Sequence, residues 1–277
     1  MNKTARATAS APAVDRLQTA FDRCRAAGES ALVTYVMGGD PDPATSLAMA
    51  LACVAGGADV LELGVPFSDP IADGPTIQAA AQRALARRTT LDDVLDIAAK
   101  VRARSQIPIA LMGYLNPMIA RGVDRLVARC KAAGVDALIV PDLLPEEAGE
   151  LAAAAAGAGV KLVYLLAPTS NPVRVEAAAR AATGFLYYVS VTGVTGARAS
   201  VPAEIGPLVA AVRKATPLPV VIGFGVSSPA QAKALGPLAD GVVVGSAIVS
   251  RIAEGGTRAV RAERVTRFVR SLKRALR

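Results

Sequence analysis

Val60-Leu61-Glu62-Leu63-Gly64-Val65-Pro66-Phe67-Ser68-Asp69-Pro70-Ile71-Ala72-Asp73-Gly74-Pro75 starts as an apolar strand and breaks into a loop stiffened by prolines. Successive strand residues point to opposite faces, so Val60, Glu62 and Gly64 share one side and Leu61, Leu63 and Val65 the other. A short run that is apolar on both sides is the pattern of a parallel strand covered on both faces. Glu62 breaks the pattern, and a carboxylate among Val and Leu is costly unless something uses it.

Outward from this stretch the same motif recurs. Short apolar runs begin near residues 31, 60, 107, 137, 161, 185, 219 and 241, and each leads into a helical segment. The helical periods cover 14–27, 43–55, 75–87, 91–104, 118–133, 145–157, 172–182, 202–215 and 229–235, with a final helix after Ser246. Strict alternation of strand and helix fits an open doubly wound sheet or a closed (β/α)8 barrel. Regular spacing, the absence of a linker and a length of 277 residues favour the α/β TIM barrel, which takes about 250 residues. Its embellishments are an extra N-terminal helix and an extra helix after strand two. Residues 14–277 are expected to form a single barrel domain, and residues 1–13 a disordered tail. The tail's Ala/Ser/Thr content with two basic residues and no acid also resembles a transit peptide, but it lacks the apolar core of a secretory signal.

Composition narrows the chemistry. Histidine is absent, which removes Ser-His-Asp and Cys-His catalysis and histidine metal sites, and leaves proton transfer to carboxylates, Lys, Tyr or water. Cys24, Cys53 and Cys130 are odd in number and form no CxxC, so a reducing cytoplasm is expected rather than a disulfide framework. No apolar run is long enough to span a membrane. The net charge of +8 is concentrated in residues 251–277, where nine Lys/Arg face two acids. There Arg258, Arg261, Arg264, Arg267, Arg270 and Arg274 recur at helical spacing, as expected of a solvated helix face. A nucleic-acid or acidic-partner surface is the alternative, without the aromatics or motifs that nucleic-acid binding would bring.

In a barrel the chemistry sits at the C-terminal strand ends. Those ends offer Glu62, then Asp73 in the following loop, Tyr114, Asn116, Asp142 and Tyr187. After strands six, seven and eight come Thr192-Gly193-Val194-Thr195-Gly196, Gly223-Phe224-Gly225 and Gly245-Ser246. The glycine turns after strands seven and eight are expected to bind phosphate through backbone N–H groups at helix N-termini. The alternative is that they simply end strands. Glu62, facing inward near the barrel top, is expected to have a raised pKa and to act in acid–base catalysis. A structural Glu paired with a cation is its alternative, although Lys161 starts its strand and points to the wrong end. Asp73 reads equally as a second functional carboxylate or as a helix cap before Pro75. The Gly-hinged 192–201 segment has the composition of a closing lid or of an ordinary loop.

Leu61–Ala80 (LELGVPFSDPIADGPTIQAA) resembles the signature of the tryptophan synthase alpha-subunit family almost position by position. The segments GVTGA at 193–197, GFGVSS at 223–228 and VGSAIV at 244–249 match in order, and the resemblance runs over about residues 14–270. It implies a lyase that cleaves indole-3-glycerol phosphate to indole and D-glyceraldehyde 3-phosphate in tryptophan biosynthesis. No cofactor is implied in this chain, and no metal. Pyridoxal phosphate belongs to a beta-subunit partner, with which the family forms an alpha2beta2 heterotetramer. By motif position, Glu62 is the acid/base and Asp73 accepts the indole N–H, with Tyr187 near Glu62. Gly196, Gly225, Gly245 and Ser246 hold the phosphate, Phe224 lies beside the indole, and Thr195 orders Asp73 from the lid. Val191 stands where some members carry Arg, so that anchor is not implied here. A stand-alone lyase releasing free indole, another phosphate-binding barrel and a degenerate, non-enzymatic barrel are the competing readings.

Overall fold

A computed structural model describes residues 14–189, 205–223 and 225–277. Its strands are β1 Ala31–Met37, β2 Val60–Gly64, β3 Ile109–Met112, β4 Ala137–Ile139, β5 Lys161–Leu166, β6 Leu186–Val189, β7 Val220–Gly223 and β8 Gly241–Val244. They pair in sequence order, all parallel, and β8 closes on β1 through Ala31↔Gly241 to Thr34↔Val244. The expected closed barrel is the one observed, and the open sheet is excluded. The expected tail at 1–13 lies outside the described residues, as do the 192–201 segment and the start of the helix expected from 202.

The helices are α1 Arg16–Ala26, α2 Pro43–Gly56, α3 Pro75–Ala86, α4 Leu91–Arg102, α5 Leu115–Ile119, α6 Val123–Ala133, α7 Gly149–Ala158, α8 Pro172–Ala181, α9 Ile205–Ala215, α10 Pro229–Leu235, α11 Ser246–Ala253 and α12 Arg258–Ala275. Three expected helices are broken. The 118–133 segment becomes α5 and α6, because Gly122 between them takes a left-handed φ of 90°. Residues Pro145–Glu147 form a separate 3₁₀ turn before α7. The final helix becomes α11 and α12, parted at Gly255 and Gly256 with φ of 84° and 97°. Such φ values lie outside the helical region.

Strand alternation sorts the core into layers. Leu61, Leu63, Leu111, Leu138, Ile222 and Val244 face outward and are buried under the helices. Val33, Val60, Ala110, Ile139, Val163 and Val221 face the barrel interior. The extra helix α1 plugs the lower mouth: Leu17, Phe21 and Cys24 join that interior layer, with Phe21 against Phe185 at 5.8 Å between ring centroids. Lys161 sits at this end and pairs with Asp15, the N-cap of α1, at 3.0 Å.

The lower rim carries a repeated staple. Asp59 accepts Leu32 N–H at 2.8 Å, Asp136 accepts Ile109 N–H at 2.8 Å, the Thr183 hydroxyl accepts Leu162 N–H at 2.8 Å, and Asp240 accepts Val220 N–H at 2.9 Å. Each acceptor leads into an even-numbered strand and each donor opens the odd-numbered strand before it. The carboxylates are charge-paired, Asp59 to Arg23 and Lys273, Asp136 to Arg16 and Arg102, and Asp240 to Arg213 and Arg25. Bonds of this kind at the lower mouth serve stability and leave the upper mouth free for chemistry.

The basic terminal helix differs in part from expectation. Arg258, Arg267, Arg270 and Arg274 are exposed. Arg261 and Arg264 instead donate to the carbonyls of Ile252 and Arg251 at 2.9 and 2.8 Å. These carbonyls end α11 and have no intrahelical donor, so the two arginines cap a helix C-terminus. The opposite face of α12 buries Val265, Phe268, Val269 and Leu272.

Candidate active site

The upper mouth holds a cavity of about 170 Å³, whose wall includes Tyr35, Glu62, Asp73, Tyr187, Gly225 and Ser246. Glu62 stands on β2 facing inward, as the alternation requires, and is 1% exposed. Among the described residues no ion pair reaches it, and its Oε2 is buried without a hydrogen-bond partner. The structural-pair alternative therefore fails here. Burial, then the negative charge of Asp73, pushes its pKa up to about 8.

Asp73 ends the loop between β2 and α3. Gly74 occupies the N-cap of α3 and makes no side-chain cap bond, so Asp73 is not spent on capping. The loop is tied at several points. Asp73 N–H donates to the Pro70 carbonyl at 3.0 Å, Gln78 Nε2 to the Asp73 carbonyl at 2.9 Å, and Ala72 N–H to the Tyr114 hydroxyl at 2.8 Å. Further along α3, Arg83 grips the buried Asp40 after β1 with two bonds of 2.7 and 2.9 Å. Burial raises the Asp73 pKa to about 6, opposed by a hydrogen bond from Tyr114.

Two phenols shield the carboxylates. Tyr35 on β1 is buried and Tyr187 on β6 half-buried, and their pKa values are raised by desolvation and by both carboxylates. The glycines around them are spacers. A Cβ at Gly223 would lie 2.5 Å from the Tyr187 ring, and one at Gly64 would lie 2.0 Å from the Tyr35 hydroxyl. Gly225 is different: nothing lies within 4 Å of a Cβ there, and its φ of 60° is what calls for glycine. Gly245 N-caps α11 without a side-chain cap, and Ser246 opens that helix beside the cavity.

Of the site residues expected from sequence, Glu62, Asp73, Tyr187, Gly225, Gly245 and Ser246 all line this one cavity. Thr195, Gly196 and Phe224 lie outside the described residues. Asp142 serves the backbone instead, accepting Leu115 N–H at the start of α5 at 2.9 Å. Asp69 accepts the neighbouring Ser68 hydroxyl and does not line the cavity. The sequence reading missed Tyr35. The alternation that turned Glu62 inward also turns Tyr35 inward, and applying it to β1 would have found it. Among the described residues, no group of three potential metal-ligating side chains occurs. No helix among them is long and apolar enough to cross a membrane.

Two carboxyl groups whose proton affinity is raised by burial, with phenols beside them at the top of a parallel barrel, suit a (β/α)8 enzyme that works by carboxylate acid–base chemistry. A sequence-family model described as tryptophan synthase alpha chain matches residues 21–277. A tryptophan synthase alpha chain of Geobacter sulfurreducens is 49% identical over 95% of this chain and 99% of its own length. One from Rhizorhabdus wittichii is 51% identical over 95% and 96%. Among solved structures, tryptophan synthase of Mycobacterium tuberculosis superposes with a TM-score of 0.88 at 38% identity, covering 95% of this chain and 98% of that one. The alpha subunit from Legionella pneumophila gives 0.88 at 34% identity, covering 95% and 99%. The chain belongs to the tryptophan synthase alpha chain family. That family consists of lyases that carry out the alpha reaction of tryptophan biosynthesis in complex with a beta subunit. Pyridoxal phosphate belongs to the beta chain and not to the alpha chain.

Proposed function

We propose that this chain cleaves indole-3-glycerol phosphate to indole and D-glyceraldehyde 3-phosphate, with Glu62 and Asp73 as its two working carboxylates. The observation that carries the reading is Glu62: a fully buried carboxyl group without a cationic partner among the described residues, facing the same cavity as Asp73. Protonated Glu62 gives its proton to indole C3. The resulting indolenine is cationic, and ionised Asp73 accepts the hydrogen bond of its N–H. Glu62, now a carboxylate, takes the proton of the glycerol hydroxyl next to the breaking bond. That oxygen becomes the aldehyde carbonyl, the C–C electron pair returns to the ring, and indole leaves with Glu62 again protonated.

The phosphate is assigned to Gly225, Gly245 and Ser246, where the N-terminal N–H groups of the eight-residue α11 supply donors and a favourable dipole. Tyr187, with Tyr35, walls the indole side and excludes water. Thr195, Gly196 and Phe224 belong to the same proposal on their motif positions alone. Residues 14–277 are taken as one functional barrel, working in an alpha2beta2 assembly. A cytoplasmic location is supported by three buried free cysteines.

The test is indole release from indole-3-glycerol phosphate, with and without a beta subunit. Cleavage stimulated by the partner is expected, whereas full turnover without it favours a stand-alone lyase. Asp73→Asn is expected to lower kcat by about a hundredfold or more while leaving the affinity for inorganic phosphate unchanged. Wild-type turnover by this variant removes Asp73 from the mechanism.

A further inference from the structure

Tyr114 stands just after β3, is 4% exposed, and lies outside the roles assigned so far. Three of its contacts run to the loop that carries Asp73. Its ring packs on Phe67 at 5.3 Å between centroids. Its hydroxyl accepts Ala72 N–H at 2.8 Å and stands beside the Asp73 carboxyl group, whose ionised form it favours. The tyrosine is itself fixed from behind. The next residue, Leu115, gives its N–H to Asp142 after β4 at 2.9 Å, and Gly113 N–H donates to the Ile139 carbonyl at 3.1 Å. A chain of contacts thus runs from β4 through β3 to a loop that leaves β2.

We propose that Tyr114 is the positioning residue of the second carboxylate, setting from β3 where Asp73 sits in the cavity through its bond to the preceding Ala72 and its packing on Phe67. The prolines at 66 and 70 limit the loop's conformations but make no bond from it to the barrel. Tyr114 makes that bond. The hydroxyl beside Asp73 also favours the ionised carboxylate, the form that can accept the indole N–H, against the burial that opposes it. Pure scaffolding would need the ring alone. The hydroxyl contact gives Tyr114 an effect on the proton affinity of Asp73 that a packing residue would not have.

The inference rests on Asp73 acting as proposed above, and the experiment separates the two. Tyr114→Phe keeps the ring and its packing on Phe67 and removes only the hydroxyl. The pKa of Asp73 is read directly from the carboxyl carbon shift in an NMR titration of wild type and variant, without substrate. A rise in the variant is expected. In the alpha reaction, kcat/KM at neutral pH is expected to fall about tenfold or more, with the acid limb moving up and the affinity for inorganic phosphate unchanged. An unchanged Asp73 titration overturns the positioning role, whatever the activity. A raised pKa with no wild-type cleavage of indole-3-glycerol phosphate upholds the positioning and defeats the reaction assigned to the site. Should Tyr114→Phe unfold, titration of Phe67→Leu, which leaves the hydroxyl in place, is the second arm. There an unchanged Asp73 titration is expected, and a rise in its pKa would reduce Tyr114 to packing.

Discussion

Tyr35 of β1 and Glu62 of β2 are Cα partners in the parallel ladder, so a phenol and a carboxyl group enter the barrel at one level, side by side. Tyr35 is 6% exposed, and the missing side chain of Gly64 leaves the space for its hydroxyl. With Tyr187 on the far side, Glu62 meets low-dielectric walls and, among the described residues, no compensating cation. That arrangement makes the carboxyl group hold its proton at neutral pH.

The pH dependence follows from the pair. Asp73 titrates at about 6 and Glu62 at about 8. Between those values the dominant state is Asp73 ionised and Glu62 protonated, the state that starts the proposed cycle. A bell-shaped kcat/KM profile with limbs near those pH values is expected for the free enzyme. A profile flat from pH 5 to 9 contradicts the assignment.

Glu62→Gln is expected to lower indole release by a factor of about 10³ or more, since it removes the group proposed to protonate indole C3. It is also expected to stabilise the fold at alkaline pH. The folded pKa of Glu62 lies above its unfolded value, so the stability it confers is complete below about pH 4.5 and is lost as pH rises through about 8. The Gln variant escapes that loss. Urea melts should show a gain on the order of a few kcal/mol at pH 9 and none at pH 4.

Gly223→Ala should act through Tyr187. The added Cβ falls 2.5 Å from a rigid aromatic ring wedged in the barrel. Overpacking of this kind costs about 1–3 kcal/mol. Displacing the ring also opens the wall around Glu62, so kcat should fall about tenfold or more. Thermal melts and kcat measured on the same preparation check both. A variant as stable and active as wild type would mean the ring is free to move.

Lys273→Met should destabilise without touching turnover. Lys273 is 8% exposed and joins Asp59 at 2.8 Å to Glu29 at 2.9 Å beneath the barrel. Removing the cation leaves Asp59 buried with Arg23 and one N–H, at a cost of about 3 kcal/mol. Because the network sits at the mouth opposite the cavity, kcat is expected to stay within about twofold of wild type. A large fall in kcat for the folded variant would show coupling between the two mouths.

Much of the site was legible before any tertiary information. Glu62 stood out as a carboxylate in an apolar run, and the glycine turns after β7 and β8 marked the other wall. The role of Asp73 was not legible, since a carboxylate just before Pro75 reads equally as a cap. The cap reading fell away only when Gly74 proved to be the N-cap of α3.

The order of strands and helices, the inward turn of Glu62 and the lack of any histidine base were determined by sequence alone. Side-chain direction within a strand or helix depends on neighbours along the chain, and that periodicity is local. Only the tertiary structure decided that α1 plugs the barrel, that Asp59 meets Lys273 across 214 residues, and that Glu62 has phenols beside it and, among the described residues, no cation. Desolvation and charge pairing depend on which distant residues closure of the barrel brings together. The proton affinity of Glu62 is therefore a property of the closed fold, although the residue itself was visible in the sequence.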